Sequence, residues 1–248
     1  MSFFLSDDQL AIRDAMAKLC ADFDADYWLN CDNEGRFPQE FVDAIGAGGW
    51  LGVAMPEEYG GSGLGITEAS LMMQAVTESG AGFSGASAIH LNVFGLNPVV
   101  KFGTDEQKRR MLPSMLSGEK MACFGVTEPN AGLDTLSLET RAERSGDGYV
   151  VNGAKHWTSM AQRADKILLL ARTTPKEDIE KRTHGLSLFF TDFNRDYIEV
   201  QEIPKMGRKA VDSNAVFFDN LPIPHEDLIG EEGKGFHYIL HGLNPERI

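Results

Sequence analysis

Cysteine is scarce in this chain: Cys20, Cys31 and Cys123 are the only three in 248 residues, and no two form a CxxC pair. An odd, widely spaced set builds neither a disulfide framework nor a zinc ribbon, and it fits a reducing compartment. Long apolar runs are missing as well, since no stretch approaches the ~20 residues of a helical membrane span. Positive charge is in deficit, with 23 Lys and Arg against 37 Asp and Glu and a net charge of −14. A sequence-independent grip on nucleic-acid phosphates needs the opposite balance. The opening MSFFLSDDQL is acidic and lacks a basic leader pattern. A cytoplasmic location is therefore expected, or a mitochondrial or peroxisomal one for a eukaryotic source.

Several chemistries also lack their motifs. GGSGLG has no following Lys-Ser/Thr and no preceding strand, so it reads as a flexible loop. No GxSxG elbow is present for a hydrolase. HYILH spaces His237 and His241 like a helical zinc pair, but Tyr238 stands where the zinc proteases carry glutamate. No metal site is expected.

What the sequence does contain changes character near Met121. Before that point the signals are helical. Ser6-Asp7-Asp8-Gln9 is a capping box, followed by Ile12, Met16, Leu19 and Phe23 at helical spacing. Pro38 opens a helix carrying Phe41, Val42 and Ile45. TEASLMMQAVTE and SGASAIHLNVF continue the pattern, and Thr104-Asp105-Glu106-Gln107 is a second capping box. After Met121 the period becomes two. RAERSGDGYVVNG is a hairpin turning at Ser145-Gly146-Asp147-Gly148, and KILLLART, GLSLFFTD, YIEVQEI and NAVFFD follow as strands. Helix signals return at Gly235. The expected fold is α+β: an all-helical domain over residues 1–120, an antiparallel β-barrel or sandwich domain over 121–232, and the first helix of a further helical domain over 233–248.

The segment MACFGVTEPNAGLDT joins the two textures. Pro129 fixes φ, Asn130 and Gly132 accept positive φ, and Asp134 can bond back to the turn. Such a turn presents backbone N–H groups and the Thr127 hydroxyl to whatever lies against it. Taken alone it is equally a plain interdomain connection.

The order of motifs is more specific. PEEYGG, then NPVVKFGTDEQKRRMLPSMLSGEKMACFGVTEPNAGLD, YVVNGAKHWTSMAQRAD, KMGRKAVDSNAVFFDNLPIPHEDLIGEEGKGF and LNPERI together resemble the acyl-CoA dehydrogenase family over nearly the whole chain. The resemblance implies FAD as cofactor, an acyl-CoA substrate, electron-transfer flavoprotein as electron acceptor, and a homotetramer or dimer. It also implies a C-terminal helical domain beyond Ile248, so that the 248 residues end as that domain begins. By the same resemblance, Phe124 and the Val126 and Thr127 backbone lie along the flavin ring, with the Thr127 hydroxyl. Trp157, Thr158 and Ser159 form the second flavin segment. Leu133 falls where the family carries a substrate-contacting serine, and leucine offers no hydrogen bond there.

The implied reaction is α,β-dehydrogenation of an acyl thioester: a carboxylate takes the α-proton while the β-hydrogen leaves as hydride to the flavin. Most of the family places that carboxylate far along the C-terminal domain. A minority resembling the isovaleryl- and long-chain-type enzymes carries it directly before the arginine of the segment matching LNPER. That position here is Glu246, the candidate base, with Asn244 and Arg247 beside it on the substrate. The same residues also form a sound helix start, with Asn244 as cap and Pro245 at the first position. Two other functions share the pattern: a flavin-dependent monooxygenase or hydroxylase of the same fold, and a truncated flavin-binding fragment without turnover.

Overall fold

The computed structural model describes residues 4–247, with the backbone alone at Glu246. Helix α1 (Asp7–Cys20) starts at the expected capping box: Ser6 Oγ accepts the Gln9 N–H at 3.2 Å, and Gln9 Oε1 accepts the Ser6 N–H at 3.1 Å. These bonds satisfy two of the donors a helix start leaves open. Helix α2 (Ala25–Glu34) lies in a stretch whose apolar spacing does not announce it. It is set by its ends: Asp24 accepts the Tyr27 N–H at 2.9 Å, and Gly35 stops it at φ 63. Helix α3 (Gln39–Ala47) follows Pro38 and buries Phe41, Val42 and Ile45.

Helices α4 (Ile66–Val76) and α5 (Gly82–His90) are joined through a widened turn at Thr77–Ala81, which kinks at Gly80 (φ 104). A second widened turn, Leu91–Gly95, leads into α6 (Asn97–Phe102). Helix α7 (Asp105–Leu116) opens on the second capping box, with Thr104 and Gln107 exchanging bonds of 2.8 and 3.2 Å.

The chain then enters a sheet: β1 (Ala122–Gly125), β2 (Arg141–Ser145), β3 (Gly148–Ser159), β4 (Lys166–Arg172), β5 (Leu186–Asp192), β6 (Ile198–Glu202), β7 (Ser213–Pro224) and β8 (Leu228–Ile229). The hairpin between β2 and β3 turns at the expected residues. The strands run in the order β6-β7-β3-β2-β4-β5-β8, with β1 beside β4. The sheet is mixed and not closed. Strands β1 and β2 both pair with β4 in parallel, β1 along Ala122–Gly125 and β2 only where Arg141 meets Arg172. The sequence pattern showed alternation but not direction, and direction is what makes the sheet mixed where an antiparallel barrel or sandwich was expected. Helix α8 (Gly235–Leu243) follows the sheet and packs on α6 through Tyr238 and Phe102, whose ring centroids lie 4.3 Å apart.

Three apolar clusters hold these layers. One fills the helical domain, around Met16, Phe41, Ile45, Met72 and Ile89. A second joins α6, α7 and α8 to one face of β4 and β5, through Leu96, Met111, Leu168, Leu188 and Ile239. A third lies on the opposite face, around Tyr149, Ile167, Phe189 and Val216. Strand β4 is buried over its whole length. Burial on both faces explains why KILLLAR reads as a continuous apolar run instead of an alternating one. No described helix is long and apolar enough to cross a membrane.

Candidate cofactor site

The site is built where β1 ends and β3 breaks its register. Past Gly125 the chain turns at Glu128–Ala131, whose two N–H and C=O groups pair at 3.2 and 3.1 Å. Under that turn lies an ion pair that is almost dry. Lys155 Nζ is 2.8 Å from Glu128 Oε1 and donates to the Val126 carbonyl at 3.0 Å. Lys155 is 0% and Glu128 6% exposed. The carboxylate also accepts the N–H groups of Glu139 (2.7 Å) and Thr140 (2.9 Å). The pair thus ties the turn to β3 and to the entry of β2.

Burial acts differently on the two partners. At Lys155 desolvation outweighs the Glu128 charge and lowers the ammonium to about 8. At Glu128 desolvation pushes upward, but the Lys155 charge and the hydrogen bonds from Lys155, Thr140 and Glu139 together hold the carboxyl below its ordinary value. Both groups are therefore charged at neutral pH.

Beyond Lys155, β3 carries one extra residue against β7: Lys155 pairs with Val216, and the next partners are Thr158 and Asn214. The His156 N–H donates to the Thr127 carbonyl at 2.8 Å. Trp157 takes up the slack at φ 61, which turns its indole outward to 57% exposure, with its ring edge-on to His156 at 4.8 Å. Four non-glycine residues in the described chain have positive φ: Trp157, Met160 (φ 64), Arg208 (φ 56) and Asn220 (φ 53). Asparagine tolerates this region, whereas for the other three it costs energy. Trp157 and Met160 border the cavity described next, and Arg208 the groove beside it.

A cavity of about 310 Å³ lies against the bulge, lined among others by Phe124, Val126, Thr127, Trp157, Ser159 and Arg247. It shares His90 and Ser159 with a wider groove of about 880 Å³ between α4, α5 and Arg208. No Asp or Glu side chain among the described residues lines either one, although the chain is strongly acidic. Burial, and to a smaller degree the Arg208 charge, hold the His90 imidazole below its ordinary value. Phe124 reaches the cavity because Gly95 yields space: a Cβ there would meet Phe124 Cζ at 2.9 Å.

Two comparisons decide the family. Residues 6–119 match the family description "Acyl-CoA dehydrogenase, N-terminal domain", and residues 123–221 match "Acyl-CoA dehydrogenase, middle domain". The chain belongs to the acyl-CoA dehydrogenase family. It is 29% identical over 250 residues to the mitochondrial isovaleryl-CoA dehydrogenase of Solanum tuberosum, covering all of this chain and 60% of the relative. The solved structure of butyryl-CoA dehydrogenase from Megasphaera elsdenii superposes with a TM-score of 0.87 at 30% identity, over 100% of this chain and 64% of that one. The prolyl acyl carrier protein oxidase AnaB superposes at 0.88 with 27% identity, over 98% and 64%. The chain thus spans about three fifths of the length of these relatives.

The residues present suit FAD, the cofactor expected in this family. Among the described residues, the N–H groups of Val126 and Thr127 and the Thr127 hydroxyl make no hydrogen bond to the protein, and Thr127 faces the cavity. Free donors beside an exposed indole are what a flat ring with carbonyl and ring-nitrogen acceptors needs.

Of the residues singled out by sequence, Phe124, Val126, Thr127, Trp157, Ser159 and Arg247 meet at this cavity. Thr158 points the other way: it is 2% exposed, and its hydroxyl has no hydrogen-bond partner among the described residues. Leu133 stands fully in solvent, outside the cavity. Asn244 is exposed and accepts a bond from Arg247 Nη1 at 3.1 Å. Glu246 lies in the short helical turn Pro245–Arg247, and its side chain is outside the described residues. Reasoning from sequence missed Lys155, Glu128, His90 and Arg208. The charged pair sits 27 positions apart, and no local pattern links its members. His237 and His241 do not converge: the first lies near His184, the second against Phe102 and Lys101.

Proposed function

We propose that the polypeptide to which these residues belong catalyses FAD-dependent α,β-dehydrogenation of an acyl-CoA thioester. The observation that carries this reading is the set of free donors at Val126 and Thr127, next to the outward-turned Trp157 and in a cleft that no carboxylate among the described side chains lines. When bound, FAD supplies the two-electron acceptor that side-chain chemistry lacks. The chain's own part is to hold and to move a proton. The Val126 and Thr127 donors stay fixed because Lys155 grips the Val126 carbonyl and His156 the Thr127 carbonyl. Donors fixed before reaction lose nothing to reorganisation when charge develops against them. Trp157 lines the cavity, with Ser159 supplying a further hydroxyl.

Glu246 is the proposed base that removes the substrate α-proton, and Asn244 and Arg247 flank it on the substrate side. The acyl-CoA substrate, a homotetrameric or dimeric assembly and electron-transfer flavoprotein as the acceptor belong to the same proposal. Thr158 is assigned no contact with the cofactor, and Leu133 none with the substrate within the cavity.

A second reading has its own support. Leu133 supplies no hydroxyl for the polar part of a CoA ester, and one structural relative is by its name a prolyl acyl carrier protein oxidase. In that case the reoxidant is O₂ and the thioester is presented by a protein.

One experiment separates these outcomes. The purified protein is loaded with FAD, and its visible absorption is followed during anaerobic addition of an acyl-CoA panel. Bleaching by one acyl-CoA, lost in Glu246→Gln, supports dehydrogenation with Glu246 as base. Bleaching only by an acyl carrier protein thioester selects the oxidase reading. A protein that takes up no FAD refutes both.

A further inference from the structure

Arg208 is held in a costly conformation by more bonds than a surface loop needs. Its φ of 56 lies in the left-handed region, which a long side chain rarely adopts. Lys205 reaches across the loop and donates to the carbonyls of Arg208 (2.9 Å) and Val211. The next residue is also fixed, as the Lys209 N–H donates to Asp32 on α2. The result places the guanidinium in the wall of the 880 Å³ groove.

There it is the only Lys or Arg among the described lining residues, next to Leu71, Met73, Phe83 and Phe94. It donates to Ser213 Oγ at 3.0 Å and meets no described carboxylate within the 4.0 Å of an ion pair. Asp212 is the nearby acid, but its carboxylate is engaged by Asn214 and by the Gln162 N–H. Burial lowers the Arg208 pKa in spite of Asp212, so the protein alone leaves this charge under-compensated. A strained and braced cation with no ion-pair partner among the described residues, in a groove that no other described charged side chain lines, is a binding group.

We propose that Arg208 binds an oxyanion in this groove: the carboxylate at the far end of an acyl group, or the phosphate of a bound nucleotide. The choice of probes rests on the acyl-CoA reading above; the chemistry of the arginine does not.

The test compares wild type, Arg208→Gly and Arg208→Lys. FAD affinity is read by quenching of flavin fluorescence, and the affinities for glutaryl-CoA and pentanoyl-CoA by calorimetry. Glycine accepts positive φ without strain. Arg208→Gly is therefore expected to melt no lower than wild type while losing at least tenfold in affinity for one ligand. Loss for glutaryl-CoA but not pentanoyl-CoA identifies the carboxylate; loss for FAD identifies the phosphate. Arg208→Lys keeps part of the affinity in either case. A merely structural arginine would instead lower the melting temperature and leave the affinities alone. The proposal is overturned if Arg208→Gly leaves all three within twofold, or weakens both acyl-CoAs equally with FAD unchanged. If wild type binds neither acyl-CoA nor FAD, the acyl-CoA reading falls first and this one with it.

Discussion

Removing one partner of the Lys155–Glu128 pair is a sharp perturbation, because its members are 0% and 6% exposed and solvent cannot replace the lost charge. Lys155→Met leaves the Glu128 carboxylate with the Glu139 and Thr140 N–H groups but no countercharge. Breaking a buried pair in this way costs about 3–5 kcal/mol. Glu128→Gln should fall at the lower end of that range. With a pKa of about 8, the ammonium at pH 7 is only ~1.4 kcal/mol from shedding its proton. Once unpaired, it escapes as a neutral amine.

The double variant Glu128→Gln, Lys155→Met removes both charges together. It should cost at least about 2 kcal/mol less than the two single losses added, since neither charge remains orphaned. Urea unfolding followed by far-UV circular dichroism measures all four corners of the cycle. Single losses under about 1 kcal/mol, or simple additivity, would show that the pair is not the buried tie described above.

Acid sensitivity follows from the same carboxylate. The folded-state pKa of Glu128 lies below the ordinary value, so its stabilisation is complete above about 4.3 and fades as pH falls toward the folded value. Wild type should therefore lose stability on acidification through that window, and Glu128→Gln should lose less, which a pH series of thermal melts reads directly. Thr158 offers a gain. Its hydroxyl is buried without a partner among the described residues, and Thr158→Val removes that cost while keeping the branched shape. An increase of about 1 kcal/mol is expected, or roughly 2–4 °C in melting temperature, with FAD affinity unchanged. A drop in affinity would place Thr158 at the cofactor after all.

The sequence by itself determined the order of helices, strands and helix, because those signals are local. Two capping boxes, a turn written in Gly and Asp, and a change of apolar period from 3.6 to 2 act over a few residues. Through its resemblance to the family it also pointed to part of the cavity's wall: Phe124, Val126, Thr127, Trp157, Ser159 and Arg247. Helix α2 escaped notice since its two buried residues, Trp28 and Cys31, form too short a stripe. Its caps at Asp24 and Gly35 were nonetheless legible.

Tertiary structure alone decided the rest. Strand direction depends on which edge of β4 remains open to β1 and β2, a long-range matter with no local code. The pairing of Glu128 with Lys155 depends on β3 returning beneath the turn. Adjacent residues also part company there. The extra residue in β3 turns Trp157 outward and Thr158 inward, and a one-residue change of register reverses the face that a side chain occupies. Arg208 became visible only as a backbone held against its preference, beside a groove built by helices more than a hundred positions away.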